Sequence, residues 1–381
     1  MPRTPSSNPD PRTLRIALNA TPALSRPALY RLAQDLDAWA GSPEPPDRLA
    51  AILGVPRAQM RRALAVAADA AAVAGRERAA AERLGARLLV HGDPGYPADL
   101  GHLSLPPPVL CVRGEIPSGP AVAIVGSRRT DAYGQEVADL FAKSLAAAGV
   151  TIVSGFARGI DAAAHRGALA AEGGRTVAVL GCGLGVDYPA GHEPLGREIA
   201  AAGALVSEFP CGLSPRSWHF PVRNRVIAAL AAGTLVVQAA PRSGSLLTAR
   251  WALDLGREVW AIPGRIFDER SLGPNALIRD GAPLVQHPRE ILETLLPNAR
   301  IPPMPASMSQ APDAELDELE EPPPDGFPGA VLAAIPAGAL RLPEEIAAGL
   351  EAPVDQVLGA LLELELGGRV RRHPGSAYAR T

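Results

Sequence analysis

Aromatic residues are scarce in this chain, and lysine is almost absent. Only 4% of its 381 residues are Phe, Trp or Tyr although 47% are hydrophobic, so Ala, Leu and Val must form most of the core. Lys143 is the single lysine, so the positive charge is almost entirely guanidinium, which binds phosphate bidentately and stacks on bases. A GC-rich genome would produce the same bias without any functional meaning.

Long apolar runs are also missing. No stretch of about 18 apolar residues occurs, and the first twelve residues lack the apolar segment of a signal peptide. We therefore expect a cytoplasmic protein with no membrane contact. Cys111, Cys182 and Cys211 are odd in number and lack metal-ligand spacing, so we expect reduced core residues rather than a disulfide framework or a zinc site.

The acidic charge is concentrated in one segment. The whole chain has a formal net charge of −3, and seven acids without any Lys or Arg lie between residues 301 and 325, which leaves the remainder at +4. The overall sign therefore does not exclude a nucleic-acid partner.

Composition and the positions of proline and glycine divide the chain into four predicted segments. Residues 1–84 show short helical patterns separated by Pro and Gly, which predicts an all-helical module of helix-hairpin-helix or sterile-alpha-motif type. Residues 298–327 have the proline-rich, acidic composition of a linker. Residues 328–381 show three helical patterns and a β-hairpin, which predicts a winged helix.

Strand and helix patterns alternate regularly in the remaining segment, residues 85–297. The strand patterns fall at residues 121–125, 150–153, 176–180, 204–206, 234–238 and 258–261. This alternation predicts an α/β fold with an extended Rossmann-like, doubly wound and mostly parallel sheet. Its ligand crevice is expected at the carboxyl ends of the strands.

One strand end combines several features that favour anions. Residues 121–134 read AVAIVGSRRTDAYG, which indicates a buried strand, a tight turn at Gly126 and the start of a helix. Free amide groups near Thr130 and Asp131 would attract an anion, and Arg128 and Arg129 would add cations. The alternative is that both arginines are solvated turn residues.

The other strand ends carry small residues, hydroxyl groups, guanidinium groups and aromatic rings. Small residues let a ligand approach the backbone closely, hydroxyl groups bind phosphate oxygens, and Phe156 or Phe220 can stack a base. This combination fits a polyanion with bases better than a dinucleotide. The segments concerned are residues 154–159, 181–185, 207–210, 220–225 and 243–245.

Enzymatic motifs fit less well. The run Gly181–Gly185 is not GxGxxG, and Lys143 lies inside a helix where it cannot act as a Walker A lysine. Asp161 and His165 have a spacing that suits either acid–base chemistry or an ordinary helical pair. Glu208 has no partner at general-acid spacing, so a structural role is expected. We predict no catalytic residue, no metal and no cofactor.

A series of ordered blocks between Tyr96 and Ala282 resembles the DNA-processing protein A (DprA/Smf) family. The blocks are YPADL with PPPVL, VGSRRTDAYG, VSGFARGIDAAAHRGAL, VLGCGLGVDYP, LVSEFP, FPVRNRVIAAL, SGSLLTARWAL, VWAIPG and GPNALIRDGA. The resemblance implies a protein without nuclease or ATPase activity that binds single-stranded DNA. It would load a RecA-type recombinase onto that DNA in natural transformation or recombinational repair.

The resemblance also implies particular residues. The DNA-binding positions would be Ser127, Arg128, Gly155, Phe156, Gly159, Phe220, Arg223, Asn224, Arg225, Ser243 and Gly244. A homodimer contact would fall at about residues 262–285 and include Asn275, Leu277 and Ile278.

The predicted winged helix departs from one that reads DNA. A DNA-reading third helix carries cations, whereas residues 353–366 contain three acids and no base. Arg369, Arg371 and Arg372 lie on the wing instead. We therefore expect a protein contact or weak phosphate binding for this module.

Two other functions are compatible with the sequence. A nucleotide-processing Rossmann enzyme, similar to the phosphoribohydrolases of the Lonely Guy group, would carry PGGxGTxxE at the matching strand end. This chain has RSGSLLT at residues 242–248, without the glutamate. A pure interaction scaffold is the second alternative, and it would have no affinity for DNA at low salt.

Overall fold

The structure is a computed structural model that describes residues 10–296, 326–336, 339–373 and 376–380. Apart from its last two residues, the predicted linker at 298–327 lies outside the described residues. The chain divides into two compact units, residues 1–302 and 303–381.

Residues 10–84 are helical, as the sequence predicts. The helices are α1 (Pro11–Asn19), α2 (Arg26–Gln34), α3 (Leu36–Trp39), α4 (Pro46–Leu53), α5 (Arg57–Ala68) and α6 (Ala70–Arg83). A proline occupies the first turn of α1, α2 and α4, where its missing N–H group would have no partner within the helix. Gly54 follows α4 with a φ of 61°, a left-handed conformation that glycine adopts without strain.

A central sheet of eight strands confirms the predicted α/β class. The strands are β1 (Ala86–Val90), β2 (Val109–Gly114), β3 (Ala121–Val125), β4 (Thr151–Ser154), β5 (Thr176–Val179), β6 (Ala204–Ser207), β7 (Gly233–Val236) and β8 (Glu258–Ala261). Their order is β1-β2-β6-β5-β4-β3-β7-β8. The six from β3 to β8 are parallel, whereas β2 pairs antiparallel with both β1 and β6. The sequence patterns did not predict β2, because three prolines precede it and resemble a connection.

The helices of the sheet region lie mostly between consecutive strands. They are α7 (Ala132–Ala147), α8 (Ile160–Leu169), α9 (Glu193–Ala202), α10 (His219–Ala229), α11 (Gly244–Asp254), α12 (Glu269–Arg279) and α13 (Pro288–Leu295). The chain runs outward from β3 through β4 and β5 to β6, and then returns past β3 to β7. The strand order therefore reverses between β3 and β7. In doubly wound sheets, ligands bind at this switch point.

The N-terminal helices pack against the sheet. One hydrophobic cluster joins Leu29 of α2 and Trp39 of α3 to Leu205 of β6. The boundary predicted at residue 84 falls between α6 and β1, and this core continues across it. The cysteines carry free thiols, and Sγ of Cys111 lies 3.4 Å from Sγ of Cys211.

The C-terminal unit has the predicted winged-helix elements. Its helices are α14 (Phe327–Ala333), α15 (Pro343–Leu350) and α16 (Val354–Leu366), and its antiparallel hairpin consists of β9 (Val370–Arg372) and β10 (Tyr378–Arg380). Val331, Ile346, Leu361 and Tyr378 form part of its core. Across the described ranges, every helix is too short or too polar to cross a bilayer.

Candidate nucleic-acid interface

A cleft of about 550 Å³ opens at the switch point between β3 and β7. Its walls are the loop after β3, the N-terminal turns of α8 and α10, and the turn before α11. Seven of the predicted DNA-binding residues line it: Ser127, Arg128, Phe220, Arg223, Asn224, Ser243 and Gly244. Sequence segments that are far apart in the chain therefore meet on one surface.

Arg128 and Phe220 form the central feature of the cleft. The guanidinium carbon of Arg128 lies 4.6 Å from the centroid of the Phe220 ring, which is cation–π geometry. Arg128, Arg129 and Arg242 are exposed, so their guanidinium groups are accessible to a ligand. Glu269 is also exposed at the rim. Cations thus outnumber acids among the exposed side chains of the cleft.

Arg223 is a buried part of the cleft wall, with only 3% of its surface exposed. Its Nη1 lies 2.5 Å from the carbonyl oxygen of Gly155, to which it donates. The same Nη1 also donates to the carbonyl oxygen of Val179, and Nε donates to Oδ1 of Asn224 at 3.2 Å. Burial lowers the pKa of Arg223 to about 10, although the Asp161 carboxylate opposes that shift. The side chain thus keeps its charge near neutral pH and uses its donors to hold the wall together.

The N-termini of α10 and α11 are tied to each other at the cleft. Nδ2 of Asn224 donates 2.9 Å to the carbonyl oxygen of Gly244. Oγ of Ser243 caps α11 by accepting from the Ser245 amide at 3.3 Å. The N-terminus of α11 is the positive end of the helix dipole, which favours a phosphate.

Gly155 and Gly159 lie behind the cleft lining, where two loops approach each other closely. A Cβ on Gly159 would lie 2.3 Å from the Ser127 carbonyl oxygen, and one on Gly155 would lie 2.6 Å from Oδ2 of Asp161. Gly159 also has a φ of 82°, in the left-handed region. Gly159 therefore allows the close approach of the loop after β3, and Gly155 leaves room for the side chains of Asp161 and Arg223.

Phe156 is buried, with 7% of its surface exposed, and lies outside the cleft lining. Its ring packs edge-on against His192 at a centroid distance of 5.4 Å. Phe220, in contrast, is partly exposed and lines the cleft.

Arg225 also lies away from the cleft, in a buried polar network. Its Nη2 lies 2.5 Å from Oε2 of Glu208 and donates 2.8 Å to the Tyr30 hydroxyl, while Nη1 donates 3.0 Å to the Leu105 carbonyl oxygen. The Tyr30 hydroxyl also donates to Glu208, and burial together with that carboxylate raises the pKa of Tyr30. The network joins α2 to the sheet, so Glu208 has the structural role expected for it.

Asp161 and His165 occupy separate buried environments on α8. Oδ2 of Asp161 accepts from the Ala157 amide at 3.2 Å, and burial raises its pKa. Nδ1 of His165 lies 2.7 Å from the Thr176 hydroxyl, and burial lowers the pKa of His165 to about 3. This geometry fits helical packing better than acid–base chemistry. Within the described ranges, no three His, Cys, Asp or Glu side chains cluster as metal ligands would.

Arg242 is a cleft residue that the sequence motifs did not single out. It stands between the end of β7 and the Ser243-Gly244 turn, and it is exposed in the cleft. Arg242 can be recognised in the sequence by its position beside a small, polar turn at a strand end. Arg128 occupies the same kind of position after β3.

The segment predicted to form a dimer contact contains α12. Oδ1 of Asn275 accepts 3.1 Å from the Gly264 amide, and Nδ2 donates 3.0 Å to the Gly264 carbonyl oxygen, so this side chain holds the preceding loop. Leu277 and Ile278 are partly exposed. Phe267, in the loop before α12, is 95% exposed.

Fold and cleft together define a Rossmann-type protein with exposed cations and an aromatic ring in a cleft at its switch point. Comparison with known proteins identifies the family. The sequence model for DNA recombination-mediator protein A matches residues 87–296, and that for the DprA winged helix domain matches residues 311–376. The chain belongs to the DprA/Smf family of DNA-processing recombination mediators.

Individual relatives agree with this assignment. Protein Smf of Escherichia coli is 43% identical over 284 residues, which cover 74% of each chain. The X-ray structure of DprA from Streptococcus pneumoniae has a TM-score of 0.64 and 31% identity, covering 76% of this chain and 99% of that one. DprA from Helicobacter pylori, whose structure is described for its single-stranded DNA binding mode, has a TM-score of 0.51 and 30% identity, covering 56% of this chain and 96% of that one.

Proposed function

We propose that this protein binds single-stranded DNA in the cleft and loads a RecA-type recombinase onto it, in natural transformation, recombinational repair or both. The observation that carries the proposal is the Arg128 guanidinium lying 4.6 Å from the Phe220 ring centroid at the switch point. This pair offers a cation for a phosphate beside an aromatic face for a base. The DNA-binding relative from Helicobacter pylori supports the same ligand class.

Phosphate capture is the first part of the proposed mechanism. Arg128, Arg129 and Arg242 supply exposed guanidinium groups, and the amides at the start of α11 supply further donors. Phe220 stacks a base without selecting its identity, because every base has an aromatic face. Arg223 and Asn224 act by holding the cleft wall, through their bonds to Gly155 and Gly244.

The four predicted DNA-binding residues that do not line the cleft are proposed to support it rather than to contact DNA. Gly159 positions the loop that carries Ser127 and Arg128, and Gly155 makes room for Arg223 in the cleft wall. Phe156 and Arg225 stabilise the fold behind the cleft, since both are buried and lie outside its lining. Their replacement would therefore weaken DNA binding by disturbing the site's support.

We further propose a homodimer formed through residues 262–285. Partly exposed Leu277 and Ile278 on α12 support this surface, and Phe267 and Leu284 add exposed apolar area. For the winged helix we propose a protein contact or weak phosphate binding, because α16 has no Lys or Arg and exposes Leu362. The proposed location is the cytoplasm.

The proposal does not include catalysis. The carboxylate of Glu208 is 1% exposed and ion-paired, and Asp161 is buried. Glu269 is the exposed acid at the rim, so it would be the candidate in a phosphoribohydrolase-type enzyme. Release of ribose 5-phosphate from a nucleoside monophosphate, lost in a Glu269→Gln variant, would support that enzyme instead.

One titration separates the main alternatives. Fluorescence anisotropy of a labelled oligonucleotide, in single-stranded and duplex form, is measured over a range of salt concentrations. The proposal predicts tighter binding of the single strand and a linear loss of log affinity with log salt. An interaction scaffold predicts no binding of either form at low salt. Recombinase loading is tested separately, by the rate of recombinase filament assembly on single-stranded DNA with and without this protein.

A further inference from the structure

A second cavity, of about 420 Å³, adjoins the cleft. It lies between α2, the segment before β2, α10 and α11, and is called the apolar cavity below. Its lining includes two arginines, Arg26 and Arg225, the exposed Ser104, and the apolar side chains of Pro221, Leu247 and Trp251. Pro221 lines both the cleft and this cavity, so the two spaces meet at the first turn of α10.

The two arginines at the cavity wall already have partners within the protein. Arg26 donates 2.8 Å to Oδ1 of Asn19 and lies over the Phe209 ring at 4.6 Å. The Arg225 guanidinium is held by Glu208 and Tyr30, as described above. Both guanidinium groups are thus directed to partners within the protein, and apart from the exposed Ser104 the cavity offers mainly the apolar surfaces of prolines, leucines and an indole.

We propose that the apolar cavity receives a nucleobase of the strand whose phosphates lie in the cleft. This inference rests on the proposed function and adds a base-binding subsite to it. A single strand carries charged phosphates and apolar base faces along one backbone. The exposed cations of the cleft suit the phosphates, and the adjoining space suits a base turned away from them.

The chemistry of the cavity also sets the expected selectivity. Stacking against Trp251, together with contacts to Pro221 and Leu247, uses features that all four bases share. The guanidinium groups of Arg26 and Arg225 are already held by partners within the protein, so stacking and apolar contact should outweigh recognition of the hydrogen-bonding edge of a base. The subsite should therefore hold any base, and a strand without bases should leave it empty.

Tryptophan fluorescence tests this directly in the full chain. Trp39 and Trp260 are at most 1% exposed, whereas Trp218 is 45% exposed and Trp251 is partly exposed. In a Trp218→Phe background, Trp251 is therefore the accessible indole among the tryptophans. We expect saturating oligothymidylate to quench its emission, and an abasic strand of equal length to bind without quenching. Saturable binding of oligothymidylate without any quenching would overturn the subsite.

A matched pair of variants provides a second test. Trp251→Ala should weaken oligothymidylate binding about tenfold and leave abasic-strand binding unchanged. Leu253→Ala removes an exposed apolar side chain from the same helix, outside the cavity, and should change neither. If Trp251→Ala alters the melting temperature, Trp251→Phe keeps an aromatic face and should restore most of the affinity.

The outcomes separate this inference from the proposed function. If Arg128→Ala weakens binding of both strands while Trp251→Ala changes neither, the cleft binds DNA and the cavity does not. If Trp251→Ala leaves DNA affinity intact but prevents recombinase filament stimulation, the cavity receives a protein side chain and the inference is wrong. If neither strand binds at any salt concentration, the proposed function and the subsite both fail.

Discussion

Arg128 and Phe220 meet across the cleft with the guanidinium carbon 4.6 Å from the ring centroid. Arg128 belongs to the loop after β3, and Phe220 belongs to the first turn of α10. The contact joins an exposed cation to a partly exposed aromatic ring in one cleft. Its two halves offer different interactions to a single strand, and the first two predictions separate them.

Replacing Arg128 with alanine should weaken binding to single-stranded DNA of every sequence. A lost phosphate contact removes one counterion-release event, so the slope of log affinity against log salt should fall by about one. Anisotropy titrations at several salt concentrations measure both quantities. Lys143→Ala is the control, since it removes an exposed cation on α7 outside the cleft lining. A variant with unchanged affinity and slope would refute the cleft assignment.

Replacing Phe220 with leucine should lower the affinity while leaving the salt slope unchanged. The expected loss is about 1–3 kcal/mol, the contribution of one base stacked on an aromatic side chain. Phe220→Tyr keeps the ring and should bind nearly as well as the parent protein. If the leucine variant shows a reduced slope as well, the ring acts mainly by placing the Arg128 guanidinium.

Replacing Glu208 with alanine should destabilise the fold strongly. The change leaves Arg225 buried without its carboxylate partner, a situation that typically costs about 3–5 kcal/mol. Urea unfolding followed by tryptophan fluorescence measures the loss. Glu193→Ala is the matched control, because its 2.6 Å pair with Arg197 is exposed and should contribute less than about 1 kcal/mol. Equal losses in the two variants would contradict the structural role of Glu208.

His165 should make stability depend on pH in the acid range. Its pKa in the folded protein is lowered to about 3 from an ordinary 6.5, so below pH 6.5 the unfolded chain binds a proton that the folded protein does not. The contribution of His165 is therefore constant above pH 6.5 and falls as the pH drops towards 3, by up to about 1.4 kcal/mol per pH unit.

The test of this pH dependence is a set of urea unfolding curves between pH 7 and pH 4. The variant His165→Leu should give a flatter profile than the parent protein, because leucine cannot bind the proton. The two profiles would have the same slope if His165 took up its proton equally in both states.

Replacing Ile278 with glutamate should convert the proposed homodimer into a monomer. A carboxylate buried without a partner at an apolar interface is costly, whereas the same group is readily solvated on a free surface. Light scattering coupled to size exclusion gives the mass. Leu253→Glu introduces the same charge at an exposed position of α11 and should not change the mass. A parent protein that is already monomeric would end the dimer proposal.

Local patterns were sufficient to predict much of the fold. Short apolar runs separated by helical repeats gave the parallel strands, and proline and glycine marked the helix ends in residues 10–84. The sequence patterns do not predict β2, because the three prolines before it are typical of a loop. Its antiparallel pairing with β6 also depends on residues far away in the chain. The helices α12 and α13 were not predicted, and Pro274 interrupts the helical pattern of α12.

The candidate site was predicted less completely than the fold. Seven of the predicted DNA-binding residues line the cleft, because strand ends of a parallel sheet share one edge. Phe156 and Arg225 do not line it, and the exposed Arg242 does. A motif shows which residue types lie near a strand end, but it does not show which of them remain exposed after packing.

The sequence by itself determined the alternation of strands and helices from β3 to β8, the turn after β3 and the grouping of cations near the strand ends, since all of these depend on neighbouring residues. Tertiary structure decided which cations are available to a ligand. Arg223 and Arg225 are two residues apart on α10, a rotation of about 200° around the helix, so they enter different surroundings. Arg223 reaches the Gly155 loop, whereas Arg225 reaches Glu208 and Tyr30. Packing, and not the sequence motif, therefore places Arg223 in the cleft wall. The packing of α2 against the sheet places Arg225 in a buried ion pair with Glu208.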